Sequence, residues 1–313
     1  MATSGTYSFN LNRNQIIQGA LRLVGALETG QPVYPEQIND SAEALNIMCK
    51  AMQTELGGLW AIVNLVLFLN TTSQSYFIGP TGSYATFDNI FQSSVSAMGA
   101  LGDSSIVLAS ILGLSSGMTI GIQMDDGSTF WTTVNAAPIN NIVSLNSALY
   151  TTSSIGNIVF AYTNVAQRPL DILEGKRRTF SGNDTPITLG NRDDYMLLSN
   201  KSNQGSVTQA YYQPTLNNGL LYVWPVSSNV TDTLVLSAKI PFQDFDNMPD
   251  NAYFPVEALR MLKFNLAEDI APEFDINPNR YQMIKTKALE TKLAFNWHDT
   301  ETSFNFAPDF SGR

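Results

Sequence analysis

The chain has 313 residues, of which 44% are hydrophobic and 14% are charged, and its formal net charge is −10. This much apolar material can fill a core without metals or disulfides, and the acidic balance argues against binding along a phosphate backbone, which depends on Lys and Arg. Its single cysteine, Cys49, excludes an intrachain disulfide. No apolar run reaches the roughly 18 residues of a membrane-spanning helix, so we expect a chain made in the cytoplasm without a membrane anchor.

The first sixty residues have the apolar spacing of two amphipathic helices. The first covers Asn12 to Leu27, with Asn12 as its N-cap and Gln15 placed to complete a capping box. The second begins at Pro35, because proline suits the first turn of a helix, and ends at Gly57-Gly58. We expect these two helices to pack as an antiparallel hairpin.

β-Branched and aromatic residues predict strands from position 66 onward. Residues 66–78 are expected to form a hairpin around a polar turn. No Lys or Arg occurs between Lys50 and Arg168, and the uncharged stretch contains short strand candidates and a hairpin signal at Asp126-Gly127. We therefore predict that 88–166 is an inserted β-sandwich or barrel domain, whereas 1–87 and 167–313 form the core. The strand candidates are Ser105–Ala109, Met118–Gln123, Thr129–Val134, Ile142–Leu145 and Asn157–Tyr162.

The chain beyond the uncharged stretch predicts further strands and then two helices. The helices are expected at Tyr253–Ala271 and Pro278–Trp297, and the tail from about 298 to 313 has no helical period. The predicted fold class is therefore α+β. It combines a helical hairpin and C-terminal helices, packed with an antiparallel β core, and the inserted small all-β domain. The strands are predicted at Ser206–Tyr212, Gly219–Trp224 and Thr233–Ile240.

Six segments follow one another in a specific order. They are NQIIQGALRLVGAL, EQINDSAEALNIMCKAMQTELGGLW, SQSYFIGPTG, RPLDI, GLLYVWPVSSNVTDTLVLSAKIPFQDF and YFPVEALRMLKFNLAEDIAPEF. In this order they resemble the head-to-tail adaptor proteins of short-tailed bacteriophages, also called tail accessory factors or packaged-DNA stabilisation proteins. The sequence departs from that family between Pro80 and Gln167, where the family passes almost directly from one strand to the next.

The resemblance implies a non-enzymatic structural subunit of the virion, located at the head-tail junction. Such a subunit assembles as a homo-oligomeric ring, typically a dodecamer, on the phage portal protein after DNA packaging, and it carries the next tail or nozzle protein. DNA passes through the lumen during ejection without specific binding. The alternative is a receptor-binding or glycan-binding tail protein in which the β insertion recognises surface glycan. The helices at both ends of the chain favour the adaptor.

Few residues suit catalysis or metal binding. The only histidine is His298, at the end of the last helix, and Cys49 falls in an apolar seam. Asp125-Asp126-Gly127 suits a hairpin turn better than a calcium loop, and the neighbouring carboxylates Asp193-Asp194 and Glu268-Asp269 are interpreted as solvated helix faces. We predict no enzymatic activity, no cofactor, and no catalytic or metal site.

Two groups of side chains are candidates for contacts with partners. One basic cluster is expected to contact a neighbouring subunit or DNA; it consists of Lys176, Arg177 and Arg178. The C-terminal region is expected to dock onto the portal or a neighbour, because alternate aromatic residues of an extended segment project to one side. Its candidate residues are Lys285, Lys287, Lys292, Phe304, Phe306 and Phe310. The resemblance likewise implies that the C-terminal region reaches the portal.

Overall fold

The computed structural model describes residues 9–28, 30–55, 61–82, 84–241, 243–251, 254 and 256–298. The chain divides into two compact units: one joins Met1–Trp60 with Pro241–Arg313, and the other is Ala61–Ile240. None of the described helices is long and apolar enough to cross a membrane. The helices are α1 (Arg13–Val24), α2 (Pro35–Glu55), α3 (Arg192–Leu197), α4 (Ala258–Ile270) and α5 (Pro278–His298).

Helix α4 lies at the centre of the helical unit. Helices α1, α2 and α5 each pack more extensively on α4 than on one another. Eight of the 13 residues of α4 are buried, as expected for a helix that has neighbours on several sides. The chain ends therefore share one core, which is built around a helix more than two hundred residues away from α1 in sequence.

Both ends of α1 are satisfied by side chains. The predicted capping box is confirmed: the Asn12 side chain accepts from the Gln15 amide at 2.9 Å, and the Gln15 side chain accepts from the Asn12 amide at 3.0 Å. At the other end Gly25 adopts a φ of +96° and terminates the helix. Arg280 of α5 donates to the free carbonyls of Leu23 and Arg22 at 2.7 and 2.8 Å, which fixes the start of α5 on α1.

The second unit contains two larger sheets and one short strand pair. The eight-stranded sheet has the order β2 (Ser75–Ile78), β14 (Gly219–Trp224), β13 (Gln209–Pro214), β11 (Asp184–Leu189), β10 (Asp171–Arg178), β16 (Thr233–Ile240), β1 (Ala61–Phe68) and β3 (Ala85–Thr86). The six-stranded sheet has the order β7 (Thr129–Thr133), β6 (Thr119–Gln123), β9 (Ile158–Tyr162), β4 (Phe91–Ala97), β5 (Ser105–Leu108) and β8 (Ile142–Ser144). Strand β12 (Gln204–Gly205) pairs with β15 (Val226–Ser227). In the larger sheets, neighbouring strands are antiparallel except for the parallel pair β11 and β13.

An aromatic cluster joins the two larger sheets. Phe68, the last residue of β1, is only 5% exposed. Its ring centroid lies 5.0 Å from that of Trp131, 5.1 Å from that of Phe160 and 5.6 Å from that of Tyr162, all three of which belong to the six-stranded sheet. Because the ring of Phe68 is surrounded by side chains of the other sheet, the stability of the two sheets is coupled.

The two ends of the six-stranded sheet's segment lie side by side. The amide of Ala166 donates to the carbonyl of Ala85 at 2.8 Å, and the hydroxyl of Thr86 donates to the carbonyl of Asn164 at 2.7 Å. The amide of Asn164 also donates to the Asp88 carboxylate at 2.7 Å. Adjacent ends are the geometry that an inserted segment requires. The domain boundaries at 88 and 166 stay a prediction, since both sheets belong to the same compact unit.

The predicted fold class is wrong. The described residues form sixteen strands and five α-helices, which is a β-rich fold and not a helical hairpin packed with a β core. Amphipathic stripes show that α1 and α2 each bury one face, but they do not show against what, and α4 is the main partner of both. Helices α1, α2, α4 and α5 belong to one unit, whereas α3 and the sixteen strands belong to the other.

The predicted hairpin over residues 66–78 is also wrong. Strand β1 pairs with β16 and β3, whereas β2 pairs with β14 at the far end of the strand order. Local sequence gives the strands but not their partners, because residues far apart in the chain provide better-matched neighbours. The parallel pair β11 and β13 further departs from the purely antiparallel core that we expected.

Candidate docking surfaces

The basic cluster lies on strand β10 and is largely paired within the chain. Arg178 and Asp184 are directly opposite each other across β10 and β11, and the guanidinium donates to both carboxylate oxygens, at 2.7 and 2.9 Å. The Lys176 ammonium lies 2.6 Å from the same carboxylate. Hydrogen bonds, first from Arg178 and then from Lys176, lower the pKa of Asp184. This carboxylate therefore stays charged and links β11 to β10.

Arg177 lies on the opposite face of β10, because successive side chains of a strand point to opposite sides. Its Nε is 3.7 Å from a carboxylate oxygen of Asp232, and both side chains are mostly buried. The three cations of the cluster thus face two carboxylates, Asp184 and Asp232, and little positive charge is left for a phosphate backbone. The predicted contact of Lys176, Arg177 and Arg178 with DNA or a neighbouring subunit stays a prediction.

The lysines of α5 lie on a helix whose inner face is occupied by α4. The buried residues of α5 include Ile284, Ala288 and Thr291, which recur at helical spacing. Lys285 is exposed, whereas Lys287 is paired with Glu290 at 2.6 Å on the same helix. Lys292 is partly exposed. The remaining C-terminal candidates, Phe304, Phe306 and Phe310, lie outside the described residues.

The outward side of α5 carries apolar residues that we did not single out from the sequence. Met283, Leu289 and Leu293 are 56%, 58% and 53% exposed. Apolar side chains therefore occur on both sides of α5, although a surface helix usually has only one apolar stripe. This pattern could have identified the outward face of α5 from the sequence, because a helix that is apolar on two sides has a second surface to bury.

Two of the residues considered for catalysis, Cys49 and Asp194, have structural roles. Burial raises the pKa of the Cys49 thiol to about 12, so it stays protonated and unreactive near neutral pH. Asp194 lines a cavity of about 340 Å³ beside α3, but its carboxylate accepts from the Asn191 amide at 3.2 Å and completes a capping box. Within the described ranges, no group of His, Cys, Asp and Glu side chains could hold a metal ion.

Asp125 stabilises the loop before β9 through hydrogen bonds. Its carboxylate accepts from the Thr152 hydroxyl at 2.7 Å, and from the Ser154 amide, the Ser154 hydroxyl and the Asn157 side-chain amide, each at 2.9 Å. Hydrogen bonds, first of all from Thr152, lower the pKa of Asp125 to about 2. The neighbouring Gly127 has a φ of +80° in the tight connection between β6 and β7. This is the hairpin turn that the sequence indicated.

No protein-family model matches the chain, and no curated protein sequence matches it.

Proposed function

We propose that this chain is a non-enzymatic adaptor subunit of a short-tailed phage virion, located at the head-tail junction. In this proposal it forms a homo-oligomeric ring, a dodecamer by the family resemblance, beneath the portal protein. The ring helps to retain packaged DNA and carries the next tail protein. No cofactor takes part in this role, which is mechanical.

The observation that carries the proposal is the outward face of α5. This helix is held by α4 on one side and by Arg280 at its start, so the exposed Lys285 and the exposed apolar residues are presented on a rigid support. Exposed apolar side chains next to cations suit a contact with another protein. The tail with Phe304, Phe306 and Phe310 follows directly after this helix in the sequence.

The charge distribution supports the proposed handling of DNA. The formal net charge is −10, and the three clustered cations of β10 face carboxylates of the same chain. An acidic ring repels the DNA backbone at short range, so that DNA moves through the lumen without adhering. Tight and salt-sensitive binding of free duplex would contradict this part of the proposal.

The docking role is tested with a chain that ends at Trp297. This truncation removes the three tail phenylalanines and leaves the elements that form the helical core in place. We expect an unchanged circular dichroism spectrum, together with loss of binding to isolated heads that carry the portal. The matched pair is a full-length triple variant, F304S/F306S/F310S, and a control, F9S, which alters an exposed phenylalanine near the other end. Truncated chains that join such heads and retain DNA as well as full-length chains do would refute tail docking.

The location in the virion separates the adaptor from the glycan-binding alternative. Gold-labelled antibody against this chain should mark the joint between head and tail in electron micrographs of virions. Label at the distal tip of the tail, together with binding of the purified chain to host cells, would instead favour the receptor-binding protein.

A further inference from the structure

The cavity of about 340 Å³ beside α3 lies at the end of the one parallel strand pair of the eight-stranded sheet. Strands β11 and β13 pair through only two residue pairs, Thr188 with Gln209 and Leu189 with Ala210. After Gly190 the chain leaves the sheet and forms α3, which packs on β13. The cavity is enclosed by the strand pair and this helix. Its volume is near the lower end of the range for small-molecule sites, about 300–1,000 Å³.

The walls of the cavity combine uncharged polar groups with aromatic and apolar surface. Paired residues of neighbouring strands, and alternate residues of one strand, point to the same face of a sheet. Thr188, Gln209 and Tyr211 therefore share one face, and all three line the cavity. Thr188 and Gln209 are exposed and can both donate and accept hydrogen bonds. Tyr195 and Leu197 of α3 add apolar surface.

The ring of Tyr211 belongs to a stack of aromatic side chains. Tyr211 and Tyr222 are directly opposite each other across β13 and β14, and their rings are stacked with centroids 5.7 Å apart and planes inclined by 8°. Of these two tyrosines, only Tyr211 lines the cavity. Tyr211 therefore lies between Tyr222 and the cavity, and a second flat, apolar ligand face can extend the stack on its other side.

Helix α3 is fixed at both ends, so the cavity is formed before a ligand arrives. The Asn191 side chain accepts from the Asp194 amide at 2.9 Å, and the Asp194 carboxylate accepts from the Asn191 amide at 3.2 Å. At the other end the Lys201 ammonium donates to the carbonyls of Met196 and Leu198, at 3.3 and 3.0 Å. A site whose walls are already ordered loses less conformational entropy when it binds.

The charges around the cavity exclude an anionic ligand. Among the described residues that line it, Asp194 alone is charged. The Lys201 ammonium already contacts two carbonyls and lies 5.5 Å above the Tyr195 ring, so its interactions are made within the chain. A phosphate or carboxylate in the cavity would meet the Asp194 carboxylate as a like charge. The Asp194 carboxylate in turn accepts within its capping box, which leaves neutral hydrogen-bonding groups to select the ligand.

We propose that this cavity binds a neutral saccharide ring. The C–H bonds on one face of a pyranose form an apolar surface that packs on the electron-rich face of an aromatic ring, here Tyr211. The hydroxyl groups at the edge of the sugar both donate and accept, as the side chains of Gln209 and Thr188 require. The site lies in the eight-stranded sheet and not in segment 88–166. It goes beyond the adaptor role, because it needs no second subunit and no portal.

The experiment measures binding of methyl glycosides of neutral hexoses and of N-acetylglucosamine to the full-length chain by saturation-transfer difference NMR. Tyr211→Ala removes the stacking surface and should abolish the signal, and Tyr211→Phe, which keeps the ring, should restore most of it. Gln209→Ala should weaken binding by about fivefold, the effect of one hydrogen bond. The matched control is Tyr34→Ala, which removes a 71% exposed tyrosine of the helical unit. The methyl glycoside of glucuronic acid, which is anionic, should bind at least about tenfold more weakly than its neutral counterpart.

A signal from at least one neutral glycoside that follows this order of variants supports the site. The inference is overturned if no neutral glycoside gives a signal, as expected when the cavity instead takes an apolar side chain of a partner protein. It is also overturned if Tyr211→Ala binds like the unaltered chain, or if the glucuronide binds as tightly as the neutral sugars. Should circular dichroism show that Tyr211→Ala is unfolded, Gln209→Ala decides, and unchanged affinity in that variant overturns the inference. The position of the chain in the virion, which the antibody label reports, tests the adaptor role separately.

Discussion

Replacing Phe68 with alanine should destabilise the sheet unit strongly. The Phe68 ring is 5% exposed and has three aromatic neighbours with centroids 5.0, 5.1 and 5.6 Å away. Truncation of a buried phenylalanine costs about 3–5 kcal/mol, since burial of the ring is lost and a cavity is left. For a unit of this size we expect the melting temperature to fall by about 10 °C, at roughly 2–4 °C for each kcal/mol.

Urea denaturation followed by tryptophan fluorescence measures this effect, because Trp131 packs directly against Phe68. The matched control is Ile62→Ala on the same strand, where the side chain is 54% exposed and the expected change is below about 1 kcal/mol. Equal losses in the two variants would refute the conclusion that the aromatic cluster couples the sheets.

Two further predictions concern the six-stranded sheet. Because hydrogen bonds hold the pKa of Asp125 near 2 in the folded state, below its ordinary value of 3.8, this carboxylate stabilises the fold above about pH 4 and progressively less down to pH 2. We expect Asp125→Ala to have a lower melting temperature than the unaltered chain at pH 7. Its melting temperature should also fall less than that of the unaltered chain between pH 4 and pH 2. Equal falls of the two melting temperatures over this pH range would contradict the prediction. Replacing 88–166 with a short Gly-Ser linker would expose the ring of Phe68, so the deletion is combined with Phe68→Thr. This combined variant should preserve helical circular dichroism and ring assembly. The same deletion with Phe68 retained should aggregate more, and collapse of both proteins would show that the segment belongs to the core.

Local patterns in the sequence located most elements of the fold. The five strands predicted between 105 and 162 occur within one residue of their expected limits, and α5 begins at the predicted Pro278. The helix cap at Asn12 and the turn at Gly127 could be predicted residue by residue, because caps and turns depend on neighbouring residues in the chain. Strand β4 was missed, because its sequence FQSSVSA has few of the β-branched and aromatic residues that mark a strand.

Pairing between distant elements could not be predicted in the same way. Strand β1 joins β16 through eight residue pairs, although more than 160 residues separate them. Nothing in either strand encodes that choice beyond an apolar face, which many strands share. The same reason explains the missed role of α4, because the stripes of α1 and α2 are equally compatible with each other and with a third helix.

The charged residues show which surfaces are left for partners. Lys176 and Arg178 formed a conspicuous cluster in the sequence, but Asp184 lies opposite them once β10 and β11 pair, so most of their charge is used within the fold. Glu36 and Glu43 attracted no attention as ordinary exposed helix residues, yet no described side chain pairs with them. A charge is therefore informative about partners only after the pairs within the chain have been assigned. By that criterion the basic cluster is a poor candidate for a contact with a second molecule, although it is the most conspicuous charge feature of the sequence.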